Sequence, residues 1–269
     1  MTPYADRQSR LTLSDLLTMK QTGEKITCLT AYDASFTALL EQSGIEVILI
    51  GDSLGMVIQG HDNTLPVSVE AMIYHCRCVS KARQRALLIG DLPFASYATP
   101  DQALHNAARL IQDGGVDMVK LEGNKTASIA HLTSNGIPVC GHLGLLPQSV
   151  NLLGGYKVQG RDPQQAERLL DDAQAIAEAG ASLLVLECIP AELAGKISRA
   201  INIPVIGIGA GIECDGQVLV IYDLLNINSG HRPRFCKNFL EGSHSIQDAI
   251  LAYQNAVKQR TFPGAEHSY

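Results

Sequence analysis

Short runs of Val, Ile and Leu alternate with amphipathic stretches from one end of the chain to the other. The runs are ITCLTA (26–31), EVILIG (46–51), ALLIGDL (86–92), DMVKLEG (117–123), IPVCGH (137–142), SLLVLE (182–187), IPVIGIG (203–209) and, less regular, VLVIYDLL (218–225). They are near-continuous rather than alternating, as parallel strands buried on both faces are. Helical spacing of apolar residues covers 33–43, 68–84, 100–113, 126–135, 163–179, 190–201 and 246–259. Thr99 before Pro100 and Asp162 before Pro163 read as N-caps with proline at the first helical position. Gly44, Gly114, Gly136 and Gly180 follow helical stretches, where left-handed C-caps form. A short amphipathic helix over 13–21 precedes the first strand and is placed to plug the bottom of a barrel.

Eight strands in 269 residues, roughly 34 per unit, predict a (β/α)8 barrel. A doubly wound open sheet shares the same βαβ grammar. The barrel is favoured because the pattern runs unbroken to the last residues and polar side chains recur at the strand ends. No repeat, linker or low-complexity segment divides the chain, so residues 1–269 are expected to form one domain.

Composition narrows the partners. A net charge of −6 argues against nucleic acid and against an anionic membrane surface, both of which favour a basic face. No apolar run approaches the ~20 residues of a transmembrane helix, and the N-terminal residues do not read as a signal peptide. A cytoplasmic enzyme is the expectation. The seven cysteines (28, 76, 78, 140, 188, 214 and 236) are odd in number, scattered and without a C-x-x-C, which suits reduced structural thiols.

Chemistry concentrates where the strands end. In a barrel the C-terminal strand ends and the loops after them form the active site. Here those ends read Tyr32-Asp33, Asp52-Ser53, Asp91, Lys120 with Glu122, His142 and Glu187. A single carboxylate there is often only a helix cap, but several at successive ends repel one another unless a cation holds them. Asp52, Asp91 and Glu122 are hard oxygen donors suited to a magnesium-type ion, and no zinc-like histidine spacing competes. Lys120 and Glu122, two apart on one strand, share a face, either as part of a site or as an interior ion pair. Glu187 closes an apolar strand, where burial would suit a general base; a helix N-terminal acid is the plainer alternative. His142 reads equally as a substrate contact or a satisfied interior histidine. IGIGAG (206–211) admits a phosphate cradle or merely a tight turn, and the polar loop 51–70 is long enough to cover a ligand.

The runs LTAYD (29–33), GDSLGMVIQGHDNTLPV (51–67), GDLPFASYATP (90–100), MVKLEG (118–123), PVCGHLGLLPQSVNLLGGYKVQGR (138–161), LLVLECIP (183–190), PVIGIGAG (204–211), DGQVLV (215–220), KNF (237–239) and PGAEHS (263–268) resemble ketopantoate hydroxymethyltransferases. The resemblance covers about 12 to 268. It implies a barrel of the phosphoenolpyruvate/pyruvate type and transfer of a one-carbon unit from 5,10-methylenetetrahydrofolate to 3-methyl-2-oxobutanoate, giving 2-dehydropantoate. It further implies that Asp52 and Asp91 bind Mg²⁺, and that Glu122 belongs to the same metal site, directly or through water. Ser53 and Lys120 would hold the oxo acid together with the metal aspartates, and Glu187 would accept the proton. Family members form large homo-oligomers, commonly decamers. Asn124 stands where the family often has a second glycine, and Arg234 where lysine is usual. Rival readings are an enolate-forming lyase or mutase, whose K-K-C-G-H loop is missing here, and a catalytically silent barrel.

Overall fold

The computed structural model of the chain describes residues 10–227 and 233–269. The first nine residues, on which the expectation about a signal peptide partly rests, lie outside them. In chain order the elements are α1 (Leu13–Thr22), β1 (Ile26–Thr30), α2 (Ala34–Gln42), β2 (Val47–Ile50), α3 (Leu54–Val57), α4 (Val69–Ala82), β3 (Leu87–Asp91), α5 (Pro100–Arg109), β4 (Met118–Glu122) and α6 (Thr126–Ser134). They continue with β5 (Val139–Gly144), α7 (Val150–Leu153), α8 (Pro163–Glu178), β6 (Leu183–Glu187), α9 (Ala191–Ala200), β7 (Val205–Ile208), β8 (Gly216–Leu219), α10 (Ile221–Leu224) and α11 (Ile246–Lys258). The eight strands close into a parallel barrel in sequence order, with β8 pairing back to β1. Every residue of β1, β2, β3 and β4 is buried, which is why these strands read as unbroken apolar runs.

The helix ends follow the expected chemistry. Thr99 and Asp162 cap α5 and α8 with proline in the first turn. Gly44, Gly136 and Gly180 are left-handed, but Gly114 is not: a π turn over Leu110–Gly114 extends α5, and Gly115 takes the left-handed position. Helix α1 runs across the strand N-termini. There Lys20 pairs with Asp215 at 2.6 Å and donates to the Ser198 carbonyl at 2.8 Å, so the plug is stapled to the segments leading into β7 and β8.

Two strands sit differently from the sequence reading. β8 starts at Gly216 rather than 218 and gives way after Leu219 to α10. Its register is set by β1, with Ile26 opposite Gly216, and a Cβ on Gly216 would lie 2.4 Å from the Ile26 carbonyl oxygen. Close packing there requires glycine, a residue that an apolar-run search skips. β5 continues to Gly144, which faces Glu187 on β6 at a φ of +94°. A Cβ at Gly144 would stand 2.2 Å from the Glu187 carbonyl oxygen, so glycine admits the end of β6 into the wall of the cavity. The connection from β7 back to β8 contains no helix; the return strand of chain lies directly on β7, with Cys214 packed at Gly207.

Six of the seven cysteines are buried. No helix among the described residues is long and apolar enough to cross a membrane.

Candidate active site

The C-terminal ends of β2 to β6 bring Asp52, Asp91, Lys120, Glu122, His142 and Glu187 to one cavity of about 520 Å³. Register explains the clustering, because Asp91 lies opposite Lys120 and Glu122 opposite His142 on neighbouring strands. Ser53 follows Asp52 into the wall, and its hydroxyl is 2.8 Å from the Tyr32 hydroxyl. Helix α3 and the loop beyond it, within the long segment 51–70, contribute Met56 and Thr64. The opposite wall is mostly apolar, with Ile208, Val218, Val220, Phe235 and Tyr269.

Charge is unevenly distributed. Asp52, Asp91 and Glu122 are each at most 4% exposed, and one ammonium, Lys120, stands among them. Its Nζ is 3.0 Å from Asp91 Oδ1, and among the described residues that oxygen has no other partner. Burial raises the Asp52 carboxyl, and Asp91 and Glu122 add repulsion; Lys120 and the Gln148 amide pull the other way. Burial also raises Asp91, against the pull of Lys120. Lys120 is itself held protonated: desolvation opposes its charge, but the three carboxylates outweigh it.

His142 bridges two acids. Its Nδ1 is 3.6 Å from Glu122 Oε1 and its Nε2 is 3.3 Å from Glu187 Oε2. Burial and the Lys120 charge disfavour its protonation, yet hydrogen bonding to Glu122 and Glu187 pushes it up to about 9. His142 is enclosed and lines the cavity, and its Nε2 makes no hydrogen bond of good geometry. Glu187 stands at the open side, with 15% of its side chain exposed against 3% for Glu122. The residue after it, Cys188, has a φ of +48°, which turns the chain sharply at the cavity edge.

The residues fit a divalent cation of the magnesium type. The three buried carboxylates and Glu187 outnumber the cationic groups beside them, Lys120 and His142, which leaves a surplus of negative charge, and Asp91 Oδ1 has Lys120 alone as a partner. Among the described residues no three acid, imidazole or thiol groups converge closely enough to ligate one ion. An ion held by one or two carboxylates, with water and substrate filling the remaining positions, is the habit of magnesium.

Other candidates fall away. Asp33 caps α2 by accepting from the Phe36 N–H at 2.9 Å. The IGIGAG turn does not offer an open cradle: a Cβ at Gly209 would be 3.0 Å from Phe235 and 3.1 Å from Tyr269, whose rings occupy that space. Sequence reasoning also missed two residues. Gln148 and Tyr97 are buried beside the acids, and Gln148 Nε2 donates to Asp52 Oδ2 at 2.8 Å. Their only signal was membership of the long motif runs, because neither carries charge.

Comparison with known proteins bears on this geometry. A family model described as ketopantoate hydroxymethyltransferase matches residues 10–265. A 3-methyl-2-oxobutanoate hydroxymethyltransferase of Nitrosococcus oceani is 58% identical over 97% of this chain and 99% of its own length. One of Shewanella loihica is 57% identical over the same shares. Among solved structures, a putative phosphonomutase from Burkholderia cenocepacia superposes with a TM-score of 0.63, at 15% identity over 81% of this chain and 96% of that one. A phosphoenolpyruvate phosphomutase from Streptomyces platensis gives 0.59, at 12% identity over 80% and 83%. At such identities the likeness is one of fold, that of a closed barrel of eight parallel strands. The match over nearly all of its length shows that the chain belongs to the ketopantoate hydroxymethyltransferase family of transferases.

Proposed function

We propose that this cavity joins the methylene carbon of 5,10-methylenetetrahydrofolate to C3 of 3-methyl-2-oxobutanoate, giving 2-dehydropantoate. The observation that carries the reading is the division of acids. Three buried carboxylates crowd one lysine, while a fourth, Glu187, stands apart at the open edge behind His142. The relatives named above support the substrate.

Asp52 and Asp91 would hold Mg²⁺, with Glu122 part of the same site. When bound, that ion supplies Lewis-acid stabilisation of charge on the keto oxygen of the substrate. Lys120 pairs with the substrate carboxylate as a fixed ammonium, and Ser53, oriented by Tyr32, donates its hydroxyl to the same end. Glu187 accepts the C3 proton, and the positive charge of His142, whose Nε2 lies 3.3 Å away, steadies the Glu187 carboxylate. The electron pair left at C3 forms the new bond to the methylene carbon as one of its two bonds to folate nitrogen breaks, and that nitrogen takes the proton held by Glu187. Water displaces the second nitrogen, supplying the hydroxyl oxygen and giving that nitrogen its other proton, and tetrahydrofolate departs.

The same reading treats residues 1–269 as one catalytic unit acting in the cytoplasm, consistent with seven unbridged cysteines. It also takes the active form to be a homo-oligomer, with a decamer as the expected size. The basis is the family resemblance alone, because the apolar residues Ala249, Ile250, Tyr253 and Val257 of α11 are buried within the chain itself, where the helix contacts β1, α2 and α10. Light scattering that finds an active species near 28.9 kDa would exclude an oligomer.

The direct test is 2-dehydropantoate formation from the oxo acid, with Mg²⁺ and methylenetetrahydrofolate each present or withheld. Turnover requiring all three components is expected. Undiminished product without the folate would overturn the donor assignment, and undiminished product in chelator would overturn the metal.

A further inference from the structure

The acids at the mouth are not held by one another or by their strands alone. Gln148 lies in the 3₁₀ turn Pro147–Ser149 after β5 and is 5% exposed. The first N–H groups of such a turn have no partner within it, and the Gln148 N–H donates to Glu122 Oε2 at 3.0 Å. Its side-chain Nε2 donates to Asp52 Oδ2 at 2.8 Å and to the Leu92 carbonyl at 3.0 Å. The Tyr97 hydroxyl donates to Gln148 Oε1 and accepts from the Glu122 N–H at 3.3 Å.

Every role in this network is determined. The Leu92 carbonyl can only accept, which fixes the amide nitrogen on that side and its oxygen towards Tyr97. The single phenolic proton then points to Gln148, leaving the hydroxyl oxygen to accept from Glu122. One residue therefore anchors one oxygen of Asp52 and one of Glu122. The third acid is fixed in the same manner, because Asp91 Oδ2 accepts from the Asp52 N–H at 3.1 Å. Each carboxylate keeps its other oxygen clear of these anchors. The anchoring donors are all neutral amides, so they set direction without cancelling the negative charge that attracts a cation. A lysine or arginine at position 148 would do the opposite.

We infer that Gln148, braced by Tyr97, is a positioning residue that aims the Asp52 and Glu122 carboxylates at a divalent cation. The inference rests on the magnesium reading above and adds residues which that reading does not use. Loss of a partner that orients a metal ligand typically weakens metal affinity by about 10–100-fold.

The test is a Mn²⁺ titration of the metal-free protein, read by loss of the free-ion electron paramagnetic resonance signal, with melting temperature measured in chelator. Wild type should bind, and Asp52→Ala should lose the site. Gln148→Met, which keeps length but removes the amide, should bind about 10–100-fold more weakly. Tyr97→Phe should weaken binding less, and the double variant should lose less than the product of the two single losses. Leu132→Ala opens space in α6, away from the cavity, and serves as the control for a purely structural effect. It should melt earlier yet retain wild-type Mn²⁺ affinity. If Gln148→Met binds within twofold of wild type while Asp52→Ala does not bind, the positioning role is wrong and the metal reading stands. If wild type and Asp52→Ala behave alike, the metal reading falls and takes this inference with it.

Discussion

The two ends of the barrel treat their acids in opposite ways, singly matched and (Glu46 apart) partly exposed at one end, crowded and largely buried at the other. At the strand N-termini each carboxylate is matched by its own donors. Asp215 receives Lys20 at 2.6 Å, Ser198 at 3.1 Å and the Val205 N–H at 2.8 Å. Glu46 takes Thr27 and Lys258, Asp117 takes Arg83 and the Leu88 N–H, and Glu41 takes the N–H groups of residues 84 to 86. At the C-terminal mouth, Asp52, Asp91, Glu122 and Glu187 share two cationic groups, Lys120 and His142. A balanced acid is finished structure; an acid kept short of positive charge is waiting for something to bind. The surplus, rather than the presence of carboxylates, marks the working end.

Substitutions at the two ends should therefore fail in different ways. The largest effect is expected from Asp52→Ala or Asp91→Ala, which should lower Mg²⁺-dependent turnover by at least about 10³-fold, because charge stabilisation at the reacting oxygen is lost. Steady-state assays at saturating Mg²⁺ check this, and near-normal rates in Asp52→Ala would dissolve the contrast. Glu187→Gln comes next. Exchange of the substrate C3 proton with deuterated water should slow by about 10²–10⁴-fold while Mg²⁺ and oxo-acid binding persist. Wild-type exchange in that variant would move the base to another residue, with His142 the first to test.

The smaller effects are on stability. Mg²⁺ at 100 times its dissociation constant should stabilise wild type by about 2.7 kcal/mol, measured as a rise in melting temperature that chelator reverses. Asp215→Asn at the opposite end should cost about 1–3 kcal/mol, between an exposed and a fully buried ion pair, with kcat little changed. Asp52→Asn should have the reverse sign in chelator. Removing one of three crowded like charges should raise the melting point by the equivalent of about 1 kcal/mol and abolish the Mg²⁺ response. If Asp52→Asn destabilises the metal-free protein as Asp215→Asn does, the mouth carries no surplus charge.

How much of this the sequence displays follows from its chemistry. Strands β1 to β7 are readable because burial on both faces imposes continuous apolar runs. The start of β8 is not, because Gly216 and Gln217 answer to close packing on β1 rather than to hydrophobicity. Asp52, Asp91, Lys120, Glu122 and Glu187 stand out as charges ending apolar strands. Asp33 has the same signature and merely caps a helix, since chain order does not reveal whether the next N–H or the barrel axis receives the side chain. Gln148 and Tyr97 are invisible in another way. They act through neutral hydrogen bonds across 26 and 25 residues to Glu122, which no local pattern encodes.

The missing helix between β7 and β8 sets where the barrel should breathe. Those strands share two register pairs, Ile206 with Gly216 and Gly207 with Gln217, whereas β5 and β6 share five. Without a helix clamped over the joint, sub-global opening should begin there, and amide protons of β7 and β8 should exchange before those of β5 and β6. Opening at that joint loosens the apolar wall formed by Ile208 and Val218 while the charged arc from β2 to β6 keeps its pairing. The barrel thus has a seam that begins one strand beyond Glu187, whose register partner is Ile208 on β7, so the wall can yield to the bulk of a ligand beside the base while the acids of β2 to β4 stay fixed.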